Sequence, residues 1–311
     1  MKYSVLKMLR LSGKQILLNI YRSVFPFIEF YRQSQQVKES VHSLNHLAID
    51  LESKIDCGEG PEIAVFIPIA KKDYGVVSEA VKSLRTNLLN PISRVVICGQ
   101  DCSELREICS DLDCELVDED ALSPIPKRDI SVIVNGVDRS GWIFQQLLKL
   151  NVFECLEEKF TLIWDSDTCL IQEMCFQSRS QSVIEYLPDY HAPYFAAAAY
   201  LLGDLPEFNF GLTSHKLLVN RFHMNDMKSQ IEKNCGKEWQ YAVMELIDFN
   251  EESSFSEYAL YSLYMLKHHP EEIVLMHWKN LQLYKPIRVY KQKLLSQWFK
   301  SVSYHNYSKE L

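Results

Sequence analysis

Short apolar runs alternate with amphipathic stretches over the first half of the main part of the chain. The runs "EIAVFIPIA", "RVVICG", "CELV", "ISVIV" and "FTLIW" predict five buried strands. The stretches "VVSEAVKSLRTNLL", "CSELREICSDL" and "GWIFQQLLKLNVFECL" carry apolar residues at helical spacing. Strands that alternate with helices predict an α/β fold with a mostly parallel sheet flanked by helices. In such sheets, ligands bind at the carboxyl ends of the strands.

The pattern loosens after about residue 175. Helices are predicted in "QIEKNCGKEWQYAVMELIDF" and "SEYALYSLYMLKHHP", a strand in "EEIVLMHW", and a basic helix over residues 286–311. Gly58, Gly60 and Pro61 indicate a boundary before the first strand. We therefore expect a helical extension over 1–60 and a main domain over 61–285, with halves at 61–175 and 176–285.

The first 33 residues combine basic and apolar side chains. The apolar residues recur at roughly helical intervals, and the longest uncharged stretch is too short to span a bilayer. This favours a basic amphipathic helix lying on an anionic membrane surface, in a cytoplasmic protein or one bound at the cytoplasmic face of the inner membrane. A helix packed on the main domain, or a dimer contact, is the alternative. The segment contains one acidic residue, Glu29, and six basic residues, which are Lys2, Lys7, Arg10, Lys14, Arg22 and Arg32.

Composition narrows the class of protein. The 311 residues are 47% hydrophobic and 24% charged, which is typical of a globular chain with a sizeable core. The net charge of -8 argues against a general nucleic-acid binder. The nine cysteines show no repeated C-x-x-C spacing, so we expect free, mostly buried thiols in a reducing compartment.

Two aspartates follow the fifth predicted strand in "FTLIWDSDTCLIQ". Asp165 and Asp167 repel each other, and a divalent ion bound between them would relieve that repulsion. Carboxylate oxygens suit Mg²⁺ or Mn²⁺, which also take phosphate oxygens of a substrate as ligands. A solvated loop with Asp167 capping a turn is the alternative interpretation. The chain contains no G-x-G-x-x-G after the first strand, no P-loop and no G-x-S-x-G.

An aspartate-dependent phosphohydrolase is a second chemistry for the same pair. Haloacid-dehalogenase phosphatases carry D-x-D-x-T/V at a strand end. Here Thr168 comes one position too early, and at least four predicted strands precede the motif. We therefore rank the phosphohydrolase hypothesis below the hypothesis of a metal site. A non-catalytic nucleotide-binding or scaffold protein of the same fold is a further alternative.

The aspartates belong to a wider set of segments: "GWIFQQLLKL" (141–150), "LIWDSDT" (162–168), "HAPYF" (191–195) and "SEYALYSLYML" (256–266). With the first strand, these segments span roughly residues 62 to 280. Through them the chain resembles GT-A glycosyltransferases, and more specifically the bacterial family DUF6492, whose genes accompany those for surface polysaccharides. The resemblance implies a Rossmann-like GT-A fold, with a nucleotide-binding half followed by an acceptor half.

The resemblance also implies an activity. The protein would transfer a sugar from a UDP- or GDP-linked donor to a hydroxyl of a glycan or lipid-linked acceptor, with inversion favoured. Asp165 and Asp167, with Ser166 between them, would hold Mn²⁺ or Mg²⁺ and the donor diphosphate. His277 would complete the metal shell, or His191 could contribute instead. His191 and Tyr194 would contact the acceptor or the donor sugar.

Glu257 matches the position of the general base in inverting GT-A enzymes. A positioned base typically contributes ~10²–10⁴-fold to the rate. The alternative is structural, because Ser254-x-x-Glu257 also fits a capping box, in which Glu257 would bond the backbone at the helix start.

The remaining donor contacts are expected on a helix and two loops. Gln145 and Lys149 are four residues apart and therefore share one face of a helix, where they could bind sugar hydroxyls or a phosphate. The loop after the first strand should meet the base of the donor, and Tyr74 could stack on it. The candidates in these two loops are Pro68, Ala70, Lys71, Asp73, Tyr74 and Asp101.

Overall fold

A computed structural model describes residues 28, 50–51, 60–187, 189–206, 208, 210–247, 251–283 and 289–304. Apart from Ile28, the predicted N-terminal amphipathic helix lies outside these residues. None of the helices described here is long and apolar enough to cross a membrane. The helices are α1 (Val77–Asn87), α2 (Ser103–Asp111), α3 (Glu119–Leu122), α4 (Ser140–Leu150), α5 (Ala192–Leu202), α6 (Arg221–Cys235), α7 (Trp239–Glu245), α8 (Glu257–His268) and α9 (Val289–Leu295).

The strands of the described residues form a central sheet and three smaller ones. They are β1 (Asp50–Leu51), β2 (Ile63–Pro68), β3 (Ile92–Gly99), β4 (Glu115–Asp118), β5 (Ile133–Val134), β6 (Val137–Asp138), β7 (Phe160–Trp164), β8 (Thr168–Leu170), β9 (Ser182–Tyr186), β10 (Lys216–Asn220), β11 (Ile273–His277), β12 (Asn280–Leu283) and β13 (Ser301–Tyr304).

The central sheet has the strand order β10-β7-β2-β3-β4. The four strands β7, β2, β3 and β4 run parallel, and β10 is antiparallel to β7. The predicted fold class, α/β with a mostly parallel sheet flanked by helices, is confirmed. The small sheets have the orders β1-β11-β9, β12-β13-β8 and β5-β6.

The central sheet is covered on both faces. Ala64 and Phe66 of β2 join one hydrophobic cluster, which includes residues of α4, α5 and α8. Ile63, Val65 and Ile67 join the other, which includes residues of α1 and α2. Because both faces of β2 are buried, its sequence is continuously apolar rather than alternating. The covered sheet leaves its strand ends as the place where polar side chains can meet a ligand.

The segment "ISVIVNG" was predicted as the fourth strand of the sheet, and this is wrong. It forms one arm of a separate two-stranded hairpin, β5-β6. The turn consists of Asn135 and Gly136, which have φ angles of 52° and 81°. An Asn-Gly pair at positive φ is the preferred two-residue hairpin turn, so the chain reverses here instead of entering the sheet.

Two predicted helices end earlier than expected. The stretch "QIEKNCGKEWQYAVMELIDF" divides into α6 and α7, because Gly236 ends α6 with a left-handed φ of 68°. The predicted basic helix over 286–311 is correct only for α9 among the described residues. It is followed by β13, whose Val302 and Tyr304 are buried and whose backbone pairs with both β12 and β8. Tertiary pairing overrides the local pattern there.

The expectation of free thiols holds for seven described cysteines and fails for one. Cys98, Cys102, Cys109, Cys114, Cys155, Cys169 and Cys235 are free. Cys175 is disulfide-bonded. The irregular spacing of the cysteines in the sequence therefore did not exclude a disulfide bond.

Candidate active site at the carboxyl edge of the central sheet

A cleft of about 430 Å³ opens where β2 and β7 end, beside the first half of α4. It contains many of the predicted donor-site residues, namely Pro68, Ala70, Lys71, Asp73, Tyr74, Gln145, Asp165, Ser166 and Asp167. Its other lining residues are Ile69, Lys72, Gln100, Glu119, Lys127, Arg139, Gly141, Trp142, Phe144, Leu148 and His215. The predicted ligand edge of the sheet therefore carries a cavity of the size small ligands occupy.

Asp165 is held in place by contacts to both of its carboxylate oxygens. Lys149 Nζ lies 2.7 Å from Oδ1, and the Tyr258 hydroxyl donates to the same oxygen at 2.7 Å. His215 Nδ1 lies 3.1 Å from Oδ2, and the Asp165 backbone N–H donates to the His215 carbonyl at 3.0 Å. The carboxylate thus has a fixed orientation at the end of β7.

Lys149 lies between two carboxylates. It is 4% exposed and contacts Glu257 Oε1 at 2.8 Å as well as Asp165. Burial by itself lowers the pKa of Lys149, but the attraction of Asp165 and Glu257 outweighs burial and holds this pKa well above its ordinary value. Burial likewise opposes ionisation of Asp165, yet Lys149 and His215 lower the pKa of Asp165 far below its usual range. Lys149 and Asp165 are therefore both charged, and Glu257 joins them through its contact with Lys149.

Lys149 does not line the cleft, in contrast to Gln145 on the same helix. Its ammonium group is instead enclosed by Asp165, Glu257 and the ring of Tyr258, whose centroid is 4.3 Å away. Gln145 lines the cleft and donates to the Pro68 carbonyl at 3.3 Å. The structure therefore gives Lys149 the role of fixing Asp165.

Glu257 is the first residue of α8, and the predicted capping box does not form. The N-cap is Ser256, whose hydroxyl accepts from the Ala259 N–H at 3.3 Å. Because the helix begins two residues later than the box requires, Glu257 occupies the wrong position to bond back to Ser254. Its N–H donates to Gln146 Oε1 at 3.1 Å, and its carboxylate binds Lys149. The assignment of Glu257 as general base stays a prediction.

Three acids share one wall of the cleft. Asp73 is 6% exposed, and the Ser166 hydroxyl donates to its Oδ2 at 3.2 Å. Burial raises the pKa of Asp73; Lys72 partly opposes this, and repulsion from Asp167 and Asp165 raises it further. The Asp167 carbonyl accepts from the Tyr304 N–H at 2.8 Å, so β13 positions this loop. A cation would be stabilised by this wall.

His277 ends β11 and is 1% exposed. Both ring nitrogens are buried and have no hydrogen-bond partner among the described residues. Burial, together with Lys279 and Lys300, lowers the pKa of His277 to about 3, so the imidazole is neutral. An unpartnered neutral imidazole and the carboxylates of Asp165 and Asp167 fit Mn²⁺ by ligand type. Within the described residues, these three groups do not come within 4.8 Å of one another as a set.

Three other predicted residues lie away from the cleft lining. His191 is the N-cap residue of α5, where its Nε2 lies 2.7 Å from the Ser253 carbonyl oxygen. The ring of Tyr194 packs against His191 at 4.3 Å between centroids. Asp101 accepts two hydrogen bonds from Arg106, at 2.6 and 2.5 Å. Their assignments to donor or acceptor stay predictions.

The sequence pattern did not predict the basic residues that line the cleft, nor His215. Lys72, Lys127 and Arg139 line the cavity, and Arg139 stacks 4.4 Å from the ring centroid of Trp142. They come from separate segments, so no local pattern united them. His215 precedes β10, an antiparallel strand that the pattern did not predict, and it has a left-handed φ of 59°. Such backbone conformations are costly and often occur at functional sites.

Comparison with known proteins gave one family and a set of solved structures. A family model described as "Family of unknown function (DUF6492)" matches residues 77–310. Mouse xyloside xylosyltransferase 1 is 14% identical, with a TM-score of 0.44 over 81% of this chain and 99% of that one. The galactosyltransferase LgtC, with donor and acceptor sugar analogues, is 12% identical, with a TM-score of 0.42 over 78% and 87%. A search of curated proteins gave no match.

A third similar structure is glucosyl-3-phosphoglycerate synthase from Mycobacterium tuberculosis. That protein was solved with Mn²⁺, UDP and glucosyl-3-phosphoglycerate. It is 10% identical to this chain, with a TM-score of 0.39 over 80% of this chain and 84% of its own. At these values the three structures are distant likenesses of this chain.

Proposed function

The chain belongs to DUF6492, a family of unknown function, and we propose that it is a metal-dependent glycosyltransferase. It would move a sugar from a nucleoside diphosphate sugar to a hydroxyl group of a glycan or lipid-linked acceptor, in the synthesis of surface polysaccharide. The observation that carries this proposal is the cleft that Asp165 and Asp167, directly after a central strand, line together with several cations.

The cleft offers complementary surfaces for the parts of such a donor. Lys71, Lys72, Lys127 and Arg139 line it, and cations of this kind bind phosphate oxygens by charge-assisted hydrogen bonds. Tyr74 also lines it and offers an aromatic face for the base of the nucleotide. A diphosphate would therefore find both positive charge and metal-ligating carboxylates in one cleft.

Asp165 and Asp167 would hold the divalent metal, and His277, which does not line the cleft, stays the predicted third ligand. When bound, the metal would neutralise the negative charge that develops on the leaving diphosphate. Lys149 and Tyr258 would keep the Asp165 carboxylate oriented, so that no reorganisation is required when the donor binds. Glu257 would take the proton of the acceptor hydroxyl, which requires that it leave its contact with Lys149.

A thermal-shift panel tests the proposal. UDP, GDP and their sugar conjugates are added to the full chain, each with and without Mn²⁺. One nucleotide family should raise Tm only when Mn²⁺ is present, because ligand at ~100 times Kd adds ~2.7 kcal/mol of stability. Asp167→Asn should remove the joint effect, whereas Asp111→Asn, at an exposed site of α2, should retain it.

The two alternatives predict different results, one in this panel and one in an assay of phosphate release. A scaffold protein without a nucleotide site would show no shift with any nucleotide. A phosphohydrolase would release phosphate from a simple phosphomonoester without transferring a sugar. Either result would overturn the glycosyltransferase proposal.

A further inference from the structure

Two histidines and a glutamate meet at the opposite end of α8 from the cleft. His223 lies in the first turn of α6, and His269 and Glu272 follow α8. His223 Nε2 is 3.0 Å from Glu272 Oε2, and His269 Nδ1 is 3.7 Å from Glu272 Oε1. The two imidazole centroids are 4.0 Å apart. One ligand atom of each residue lies within 4.8 Å of the other two.

The hydrogen bonds around His269 fix the orientation of its ring. The Tyr264 hydroxyl donates its hydrogen to Asp226 Oδ2 at 2.6 Å. The same hydroxyl oxygen lies 3.4 Å from His269 Nε2 and can only accept there, because a hydroxyl has a single hydrogen. His269 Nε2 therefore donates to Tyr264, and Nδ1 is the ring nitrogen that faces Glu272.

This arrangement places His269 Nδ1 near the carboxylate of Glu272. The separation of 3.7 Å between His269 Nδ1 and Glu272 Oε1 is too long for a hydrogen bond. His223 Nε2 and Glu272 Oε2 form a hydrogen bond of 3.0 Å, and a metal ion bound among the three residues would replace its proton. The convergence of one ligand atom from each residue therefore offers a place for a divalent ion.

We propose that His223, His269 and Glu272 form a divalent metal site, separate from the cleft, and that Zn²⁺ is the ion best suited to it. Two imidazole nitrogens and one carboxylate oxygen are a common zinc ligand set, with water in the fourth position. Ligand bonds of 2.0–2.2 Å in a tetrahedron place neighbouring ligand atoms about 3.3–3.5 Å apart. His223 Nε2 lies 3.0 Å from Oε2 of Glu272 and His269 Nδ1 lies 3.7 Å from its Oε1, so each oxygen of the carboxylate is near one imidazole.

Asp226 and Tyr264 complete the second layer of the site. A metal-bound histidine usually donates its other ring N–H to an oxygen that fixes the orientation of the ring. Tyr264 supplies that oxygen to His269 and is itself held by Asp226. All three ligands are partly exposed, which gives the metal a path from solvent.

The metal joins α6 to the end of α8. The first turn of α8 carries Glu257 and Tyr258, which contact Lys149 and Asp165. Eleven residue steps separate the two ends of this helix, which is about 16 Å at 1.5 Å per residue. The site therefore stabilises the packing of the helix that supports the cleft, without contacting the cleft.

Zinc titration of the full chain, without an affinity tag and stripped with a chelator, tests the proposal. The readout is competition with a chromophoric chelator, backed by the visible spectrum with Co²⁺, which reports nitrogen ligands. His223→Gln, His269→Gln and Glu272→Gln should each weaken zinc binding by at least about 100-fold, since even the loss of a second-layer partner costs 10–100-fold. His268→Gln, at the neighbouring residue, should bind as wild type does.

A variant of the cleft distinguishes zinc binding at this site from metal binding in the cleft. Asp167→Asn, which removes a proposed metal ligand of the cleft, should leave one zinc per chain and the Co²⁺ spectrum unchanged. Far-UV circular dichroism checks that each variant is folded. Zinc affinity that survives in folded Glu272→Gln and His223→Gln proteins would overturn the proposal, as would zinc binding that is lost in Asp167→Asn alone.

Discussion

The contact with Lys149 explains how the carboxylate of Asp165 is tolerated at the end of a buried strand. An ammonium group that is 4% exposed lies between the carboxylates of Asp165 and Glu257. The sequence showed Asp165 and Asp167 directly, because they follow an apolar run. It could not show Tyr258 or His215 as partners of Asp165, since their contacts join positions 93 and 50 residues away.

Lys149→Met removes the cation and keeps most of the volume of the side chain. Two buried carboxylates then lose their shared partner, so the free energy of unfolding should fall by about 3–5 kcal/mol. Urea denaturation measures this change. Lys71→Met is the matched control, because Lys71 pairs with Glu104 at the surface and is 82% exposed. Equal stability of the two variants would contradict a buried ion network.

Asp73→Asn should raise Tm at neutral pH. Burial and the repulsion of Asp167 and Asp165, only partly offset by Lys72, raise the pKa of Asp73 in the folded state. A raised carboxyl pKa means that the ionised form destabilises the folded protein. The gain should therefore be complete above the folded pKa and vanish as pH falls below the ordinary value of 3.8.

Melting curves from pH 3 to 8 would show this convergence of variant and wild type. Each kcal/mol moves Tm by about 2–4 °C in a domain of 150–250 residues, which is easily resolved. Asp111→Asn, at an exposed position, should give no such trend. A lower Tm for Asp73→Asn at pH 7 would contradict the repulsion.

At the scale of elements, the parallel strands and the helices between them followed from the hydrophobic pattern. β2, β7 and the second half of β3 were predicted because both faces of the sheet are covered there, which makes buried strands apolar throughout. β4 is a partly exposed edge strand and was predicted from its short apolar run. β13 was not predicted, since its four residues gain their stability by pairing with β8 and β12. Pairing between distant segments is invisible in a local pattern.

Gly236→Ala should destabilise the protein by about 1 kcal/mol, because Gly236 has a left-handed φ of 68° at the end of α6. A Cβ there would meet nothing within 4 Å, so the cost is purely conformational. Gly141→Ala is the matched control. A Cβ at Gly141 also meets nothing within 4 Å, but Gly141 lies within α4, so the alanine should stabilise the helix. Denaturant unfolding that ranks the two variants in the reverse order would contradict the αL cap.

At the scale of the whole molecule, the basic N-terminal segment could link the described domain to a membrane-bound acceptor. Its six basic residues against one acid should bind anionic lipid at about 1 kcal/mol for each basic residue near the surface. Deletion of residues 1–32 should therefore abolish co-sedimentation with anionic liposomes. Neither the full chain nor the truncated chain should co-sediment with neutral liposomes. Unchanged co-sedimentation of the truncated protein would contradict a membrane role for this segment.

Release of nucleoside diphosphate from nucleotide sugars is the most direct test of the proposed activity. The full chain is incubated with Mn²⁺ and each donor, and turnover is compared among wild type, Asp165→Asn, Asp167→Asn and Asp111→Asn. We predict that one donor is turned over only with Mn²⁺, that both cleft variants lose at least about 100-fold in rate, and that Asp111→Asn matches wild type. Turnover that survives unchanged in Asp165→Asn and Asp167→Asn would contradict the account.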